Sequence, residues 1–481
     1  MKLARKLSCA NVIVAVGVLA AVVPDPLGAT PVDPAIMATI GPRKAVSARD
    51  KERLIEKGRK LFLKETFDGN GRTCATCHPP TNNFTLDVEF IESLPDDDPL
   101  FVAEFNPDLA ELEDPDLMRR FALILENLDG FDRPGVFRGV PHTLALPTSI
   151  KVNPDGDEDL TRADGSTVAH ATGWSGDGAP GGGSLREFTV GAVVQHFPKT
   201  LNRVPGEDFR VPTDEELDAL EAFQMSLGRQ EELDLTAMDF YDADVLAGKD
   251  LFEGVGINRA CSSCHSNAGG SNAEGMNRNF ATNTASMTNA PARVYDVELP
   301  GDGGFDSGPQ FEVPGMSVAF YGNGTMNTAP LVEAADSGPF FHNNSAETIE
   351  DAITFYTTRT FSSDDPFDLS EKQINQIGAF LRTLNALENI RSARVIAKEA
   401  RRENERWARQ STEVVMAEIE DAIDVLTEGP LAPLYPEAVE ELDNLFGLAR
   451  DAYEAPSKTL RNASLREVIR GLGDTSPLIL R

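Results

Sequence analysis

The chain is poor in the residues that cross-link or coordinate. It has only five Cys, six His and two Trp in 481 residues. So few thiols exclude a disulfide-dense scaffold. Long apolar runs are scarce too. Asn11 to Val23 is the most apolar stretch, and it is too short to span a bilayer. Positive charge is in deficit: 44 Lys and Arg stand against 77 Asp and Glu, a formal net charge of −33. Such a field argues against nucleic acid and anionic membranes, and suits a basic partner or plain solubility. The acidic runs Pro95-Asp96-Asp97-Asp98-Pro99 and Glu111-Leu112-Glu113-Asp114 read as solvated loops.

What the chain does have is concentrated. Four of the five Cys fall in two pentapeptides, Cys74-Ala-Thr-Cys77-His78 and Cys261-Ser-Ser-Cys264-His265. CxxCH is the attachment pattern of a c-type haem: two thiols bind the vinyl groups and the His becomes an axial iron ligand. A four-Cys zinc site would draw its pairs from closer together, and a redox CxxC would sit in a βαβ setting that is not visible. The expectation is therefore two covalently bound haem c groups, with His78 on haem iron 1 and His265 on haem iron 2.

The amino terminus agrees. Lys2, Arg5 and Lys6 precede the apolar stretch, and Leu27-Gly28-Ala29 follows it, so residues 1–29 read as a Sec signal peptide. An uncleaved anchor is the alternative. Cys9 precedes the apolar run and so cannot be a lipoprotein cysteine. The mature chain is expected to be soluble, with no membrane span, and periplasmic.

An internal repeat suggests the architecture. Gly58-Arg-Lys-Leu61-Phe62 precedes the first CxxCH and Gly248-Lys-Asp-Leu251-Phe252 the second. Each closes an amphipathic segment, with Leu54 in the first and Val245 in the second. After each motif come loops and then a capped amphipathic helix. The first is Thr213 to Leu227, opened by Thr213-Asp-Glu-Glu216, with Leu217, Leu220, Phe223 and Leu227 on one face. The second is Ser370 to Leu387, opened by Ser370-Glu-Lys-Gln373, with Ile374, Ile377, Leu381 and Leu384. This plan predicts a mainly α protein with two cytochrome c-like haem domains in tandem, 48–232 and 233–388, joined by acidic residues 231–244. Residues 389–481 are predicted to be a helical extension. A long pattern from Glu388 to Thr427 carries Val395, Trp407, Val414, Val415 and Ile419, and a further helix spans Pro436 to Tyr453. It either packs on the haem domains or serves as a dimerisation or docking arm.

Over roughly residues 50–388 the chain resembles the bacterial dihaem cytochrome c peroxidase superfamily, which includes the methylamine dehydrogenase maturation enzyme. Arg138-Gly-Val-Pro-His-Thr-Leu144 resembles that family's Arg-Asn-x-Pro-Thr-Leu stretch. Trp174-Ser-Gly-Asp177-Gly followed by Ser184-Leu-Arg-Glu-Phe188 is similar to its Trp-Asp-Gly-Arg and the next helix. Thr328-Ala-Pro-Leu331, Gly338-Pro-Phe-Phe-His342 and Thr348 to Tyr356 resemble its Pro-x-Leu-Arg-Asn, Pro-Tyr-Phe-His and Leu-Glu-Glu-Ala-Val segment.

The resemblance implies that peroxide meets the N-terminal haem while the C-terminal haem stores or relays an electron, with Trp174 between them. A structural core Trp is the alternative. Tyr356 falls where family peroxidases place a Met ligand and the maturation enzyme has Tyr. As the distal ligand of haem iron 2, a phenolate would lower the potential and make high-valent iron accessible; otherwise Tyr356 is a core residue.

On the distal side of the first haem the family carries a Glu, where this chain has Val193-Val194-Gln195-His196-Phe197-Pro198. His196 would act as acid/base or bind iron outright, and Gln195 would orient a ligand. A His satisfied at a helix end is the plain reading. His142 and His170 are further candidates, His170 as a removable resting-state ligand. His342 reads as a propionate or hydrogen-bond partner. Arg138 reads as a propionate partner. The family also has an inter-domain calcium (Ca2+) site, where Gly139 replaces the usual Asn.

The expected function is a dihaem c-type cytochrome oxidoreductase, peroxide-dependent, with hydrogen peroxide as oxidant. It would reduce peroxide with electrons from a small redox protein, a cytochrome c or a cupredoxin, or oxidise an organic or protein substrate through high-valent iron. The alternatives are a non-catalytic electron-transfer cytochrome and an O2-activating dihaem oxygenase of the rubber-oxygenase type. The oxygenase would use a distal pocket lined by Phe188 and Phe197.

Overall fold

The computed structural model describes residues 48–127, 136–152, 160–161, 167–168, 171–172, 185–284, 287–295 and 326–481. They are mainly helical. The longer helices are α1 (Ala48–Lys64), α2 (Leu185–His196), α3 (Asp214–Gln224), α4 (Ala243–Phe252), α5 (Ile349–Phe355), α6 (Glu371–Ala400), α7 (Glu405–Thr427), α8 (Pro436–Glu454) and α9 (Lys458–Thr475). Strands among the described residues occur only in two-stranded pairs. The longest pair sets β1 (Leu123–Glu126) antiparallel to β2 (Val136–Gly139), with Leu123 opposite Gly139.

The expected helix starts appear with their caps. Thr213 Oγ1 accepts from the Glu216 amide while the Glu216 carboxylate accepts from the Thr213 amide, and Ser370 and Gln373 do the same at α6. Both boxes satisfy amide donors that a helix start otherwise leaves open.

The repeat is a packing device. A Cβ on Gly58 would lie 1.9 Å from the Ala219 carbonyl oxygen of α3, and a Cβ on Gly248 would lie 1.9 Å from the Gln376 carbonyl oxygen of α6. In each half, glycine lets the helix before the CxxCH cross the later capped helix backbone to backbone. The phenylalanine four residues on completes the contact: Phe62 meets Phe223 at 5.3 Å between ring centroids, and Phe252 meets Phe380 at 5.5 Å.

The two halves differ in what they share with the carboxyl-terminal helices. The core of the second half is continuous with them: Phe240, Phe252, Phe380 and Leu384 belong to one buried cluster with Val415, Ile419, Leu442, Leu465 and Leu472. The first half has its own cluster around Phe62, Phe67, Val190, Phe197 and Phe223. It meets α7 and the turn before it through polar and stacked groups. Arg59 pairs with Glu403 and donates to Ser411 Oγ at 2.8 Å, and Lys64 Nζ sits 3.7 Å over the Trp407 ring.

Two sequence expectations change in detail. The capped helix of the second half does not stop at Leu387. It runs on to Ala400, because buried Ile390, Ala393 and Ala397 continue its apolar face into the same core. A turn at residues 401–404 then separates it from α7, so the pattern from Glu388 to Thr427 is two helices. Val395 is exposed and lies off the buried face. The segment 231–244 is also no loose joint, since Leu235 and Phe240 are fully buried.

Candidate haem-attachment sites

Both CxxCH segments are short helical turns at the foot of a helix crossing, and both present their histidine in the same way. His78 Nδ1 lies 2.8 Å from the Phe84 carbonyl oxygen, and His265 Nδ1 lies 2.9 Å from the Ala329 carbonyl oxygen. A carbonyl can only accept, so each Nδ1 carries the proton and each Nε2 keeps its lone pair. Burial lowers both imidazoles to about 4, against the opposing pull of those carbonyls, which keeps the rings neutral. A neutral imidazole with an oriented Nε2 is what an axial iron ligand requires.

The four thiols are free, with no disulfide between them. Burial pushes Cys74 and Cys261 up to about 12 and Cys77 to about 11. A redox-active CxxC needs the reverse, a stabilised thiolate. Among the described residues, no group of three or more His, Cys, Asp and Glu is placed to hold a metal ion, so the two pairs do not form a four-Cys zinc site. Paired neutral thiols next to an anchored His fit covalent haem attachment.

The segment Thr328-Ala-Pro-Leu331 has a visible role. It carries the Ala329 carbonyl to His265, and the Leu331 amide donates to the Ala268 carbonyl oxygen at 2.8 Å. Tyr356, which ends α5, lies near the second motif, since Cys261 and Cys264 act on its phenol. Burial first, and then those two thiols, push the phenol above its usual range. Phe341, Phe355, Phe361 and Phe367 surround its ring at 5.1 to 6.4 Å.

Beside the first motif the structure corrects the reading of the acidic runs. Glu113 is not solvated; its side chain is fully buried. Its Oε1 accepts from Arg72 Nη1 at 2.8 Å and its Oε2 accepts from the Leu125 amide of β1 at 2.8 Å. Arg72, two residues before Cys74 and 1% exposed, also donates to the Pro99 and Leu100 carbonyl oxygens. Neighbouring Asp114 and Asp98 are helix caps. Burial acts to raise the Glu113 carboxyl, but Arg72, His196 and the Leu125 amide hold it below its ordinary value.

His196, the last residue of α2, faces this carboxylate, its Nδ1 3.6 Å from Glu113 Oε1. That is an ion-pair separation, longer than a hydrogen bond. Gln195 Nε2 donates to the Leu125 carbonyl oxygen and lies 3.1 Å from His196 Nε2. Its amide therefore donates to Nε2, which places the ring proton on Nδ1, toward Glu113. With Nε2 held by Gln195 and Nδ1 facing Glu113 beyond hydrogen-bond reach, His196 is arranged as an acid/base group rather than as an iron ligand. The end of α2 is held here because Asn70 Nδ2 donates to the His196 carbonyl oxygen at 2.9 Å, and a Cβ on Gly69 would lie 2.1 Å from the Phe197 carbonyl oxygen.

The remaining candidates separate. His142 is buried, and its Nδ1 accepts from the Leu144 amide at 3.2 Å. Burial, with His78 second, lowers it to about 4. Arg138 and His342 are buried where the halves meet, and the His342 carbonyl accepts from the Gly139 amide at 2.9 Å. A Cβ on Gly139 would lie 2.0 Å from Asn344 Oδ1, so the space that a side chain at 139 would take is filled by an amide from the other half. Asn344 Nδ2 in turn donates to the Phe121 carbonyl oxygen at 2.8 Å. Phe197 packs edge-on against Phe67 in the core, whereas Phe188 is exposed. Trp174 and His170 lie outside the described residues.

Sequence reasoning missed Glu113, Arg72 and Asn344. One signal was present: both motifs carry Arg two residues before the first Cys, Arg72 and Arg259. Among the described residues, no helix is long and apolar enough to cross a membrane.

No protein-family model matches the chain, and no curated protein matches it. Among solved structures, the chain is similar to Kuenenia stuttgartiensis hydrazine synthase pressurised with xenon, at 13% identity and a TM-score of 0.35. The match covers 78% of this chain and 99% of that one. A likeness that slight carries no argument about fold or activity.

Proposed function

We propose that the chain is an exported, periplasmic dihaem c-type cytochrome with two cytochrome c-like domains in tandem, and that it reacts with hydrogen peroxide at its first site. The observation that carries this reading is the nearness of a haem-type histidine, His78, to a buried carboxylate–imidazole couple, Glu113 and His196. His196 is close enough to His78 to bear on its charge. Bound haem would supply redox-active iron at each CxxCH, held by Cys74, Cys77 and His78 and by Cys261, Cys264 and His265.

The chain's own groups then move protons. Burial, opposed by Glu113, holds His196 below its usual value, so the imidazole is neutral at physiological pH. Once the Gln195 amide yields Nε2, that nitrogen can accept a proton from hydrogen peroxide and return it to the departing oxygen, while Glu113 stabilises the transient imidazolium. Gln195 keeps the ring oriented. Arg72 keeps Glu113 ionised in a buried site. Complete reduction of one peroxide consumes two protons and two electrons and yields two waters. The electrons come from a small basic redox protein, a cytochrome c or a cupredoxin, that suits a surface of net charge −33, or from an oxidisable substrate. Tyr356, in its aromatic cage, is the candidate distal ligand of the second site, and Trp174 the candidate relay between the two.

The test is stoichiometric titration of the oxidised, haem-loaded protein with hydrogen peroxide, followed by optical and EPR spectra. Rapid change at both irons without added reductant supports a Tyr-ligated enzyme that shares oxidising equivalents between its haems. Reaction only after half-reduction supports an ordinary peroxidase. No reaction in either state rules the reading out and leaves an electron carrier or an oxygenase that needs O2.

A further inference from the structure

The two halves and the carboxyl-terminal helices meet over a set of crowded carboxylates. Glu333 and Asp336 lie on the segment after Ala329, Glu388 on α6, and Glu418 and Asp421 on α7. Glu333 and Glu388 are 4% and 1% exposed, and the other three are partly buried around them. Among the described residues, two guanidinium groups reach this place, and both bind Glu388: Arg229 Nη2 at 2.6 Å, and Arg391 Nε at 2.7 Å.

Three of the other four carboxylates accept from neutral donors. Asn385 and Asn389 donate to Asp336 Oδ2 at 2.6 and 2.7 Å, Ser392 donates to Glu418 Oε1 at 2.8 Å, and the Asn83 side chain bonds Asp421. Glu333 Oε2 and Asp336 Oδ1 are buried with no hydrogen-bond partner. Glu333 is pressed against the Gly228 backbone, where a Cβ would meet its Oε1 at 2.6 Å. Asp424 faces Asp421 from the same helix, with Glu420, Glu428 and Glu89 beyond it.

Four more carboxylates cannot all be ionised in a half-dry junction whose two guanidinium groups bind a fifth, although Arg391 also pulls against the rise at Glu333 and Glu418. We propose that the junction takes up protons as its ligand, and that losing them as the pH rises releases α7 from the two CxxCH halves: a pH-sensitive latch. The direction of each group agrees. Burial first, then Asp336 and Glu388, push Glu418 up to about 8, and burial pushes Asp336 up to about 6. Burial and like charges also raise Glu333 and Asp421 well above the carboxylate range.

A carboxyl raised in the folded state stabilises that state fully below its ordinary value near 4.5, and the contribution is lost as pH climbs through the raised value. For Glu418 the window runs from about 4.5 to about 8. The latch touches both sites. Asn83 follows His78 in the first half, Arg229 lies between the halves, and Glu333 sits on the segment whose Ala329 carbonyl holds His265. Its release therefore frees the elements that orient both CxxCH histidines, whether or not the sites react with peroxide.

Hydrogen exchange on the full-length protein between pH 6 and 9 tests this, with each rate divided by the intrinsic exchange rate at that pH. Opening of α7 is expected to rise roughly tenfold per pH unit for each proton lost, up to about pH 8. Helix α3, whose Asp214 and Glu216 are paired with arginines, should stay flat. Glu418→Gln keeps the acceptor for Ser392 but cannot ionise, so the α7 slope should fall by one proton. Glu333→Gln should do the same and serves if the first variant fails to fold. A flat wild-type profile, or a slope unchanged in a folded variant, overturns the latch.

Discussion

Arg72 and Arg259 stand at the same place in the repeat, two residues before the first Cys of each motif, and the protein treats them in opposite ways. Arg72 is buried against Glu113 at 2.8 Å, with both side chains essentially inaccessible. Arg259 lies at the surface, 3.1 Å from an exposed Asp365. The first pair stands behind an acid/base couple, Glu113 and His196. The second borders a cage of phenylalanines around Tyr356. A shared CxxCH plan thus carries a buried carboxylate–imidazole environment in one half and an aromatic one in the other. This is the division expected if peroxide is processed at the first site and electrons are held at the second.

Breaking each pair should give unequal costs. Glu113→Ala leaves Arg72 buried and uncompensated, so urea denaturation should show a loss of about 3–5 kcal/mol. Asp365→Ala should cost less than about 1 kcal/mol, because water screens the exposed pair. Equal losses would mean that the two arginines are not in different environments. The glycines offer the opposite comparison, since there the halves are alike. Gly58→Ala and Gly248→Ala each drive a Cβ against a backbone carbonyl, and each should lower stability by about 1–3 kcal/mol or more. A loss at one glycine only would show that the crossing is needed in just one half.

The smallest effect is on the pH profile. If peroxide turnover uses neutral His196, as proposed, it should fall as pH drops through a value below that of an ordinary imidazole. Glu113 raises the His196 value, so Glu113→Gln should move that acid limb lower still, read from kcat/KM against pH. A limb that does not move would disconnect the two groups.

The CxxCH motifs, the two capping boxes and the Gly-x-x-Leu-Phe repeat were all legible in the sequence, because each is a local pattern with a local physical cause. The acidic runs were misread for the same reason. Glu113 follows Glu111 in a polar stretch, and nothing within that stretch indicates that Arg72 and the Leu125 amide will enclose one carboxylate and leave its neighbours as caps. The run from Ser370 to Thr427 was divided at the wrong point, since apolar periodicity alone does not say how far a shared core will extend a helix.

The sequence by itself determined the chemistry available: four thiols and two histidines at fixed spacing, a helix before and after each motif, and an acidic surface. The tertiary structure decided how those groups are tuned. It brought the Ala329 carbonyl to His265 across 64 residues, while His78 uses Phe84 six residues away. It buried Glu113 beside His196, and it placed the Asn344 amide where Gly139 has no side chain. Ring orientation, proton position and the ionisation of a buried carboxylate depend on neighbours and on exclusion of water, and both arise only when distant segments pack.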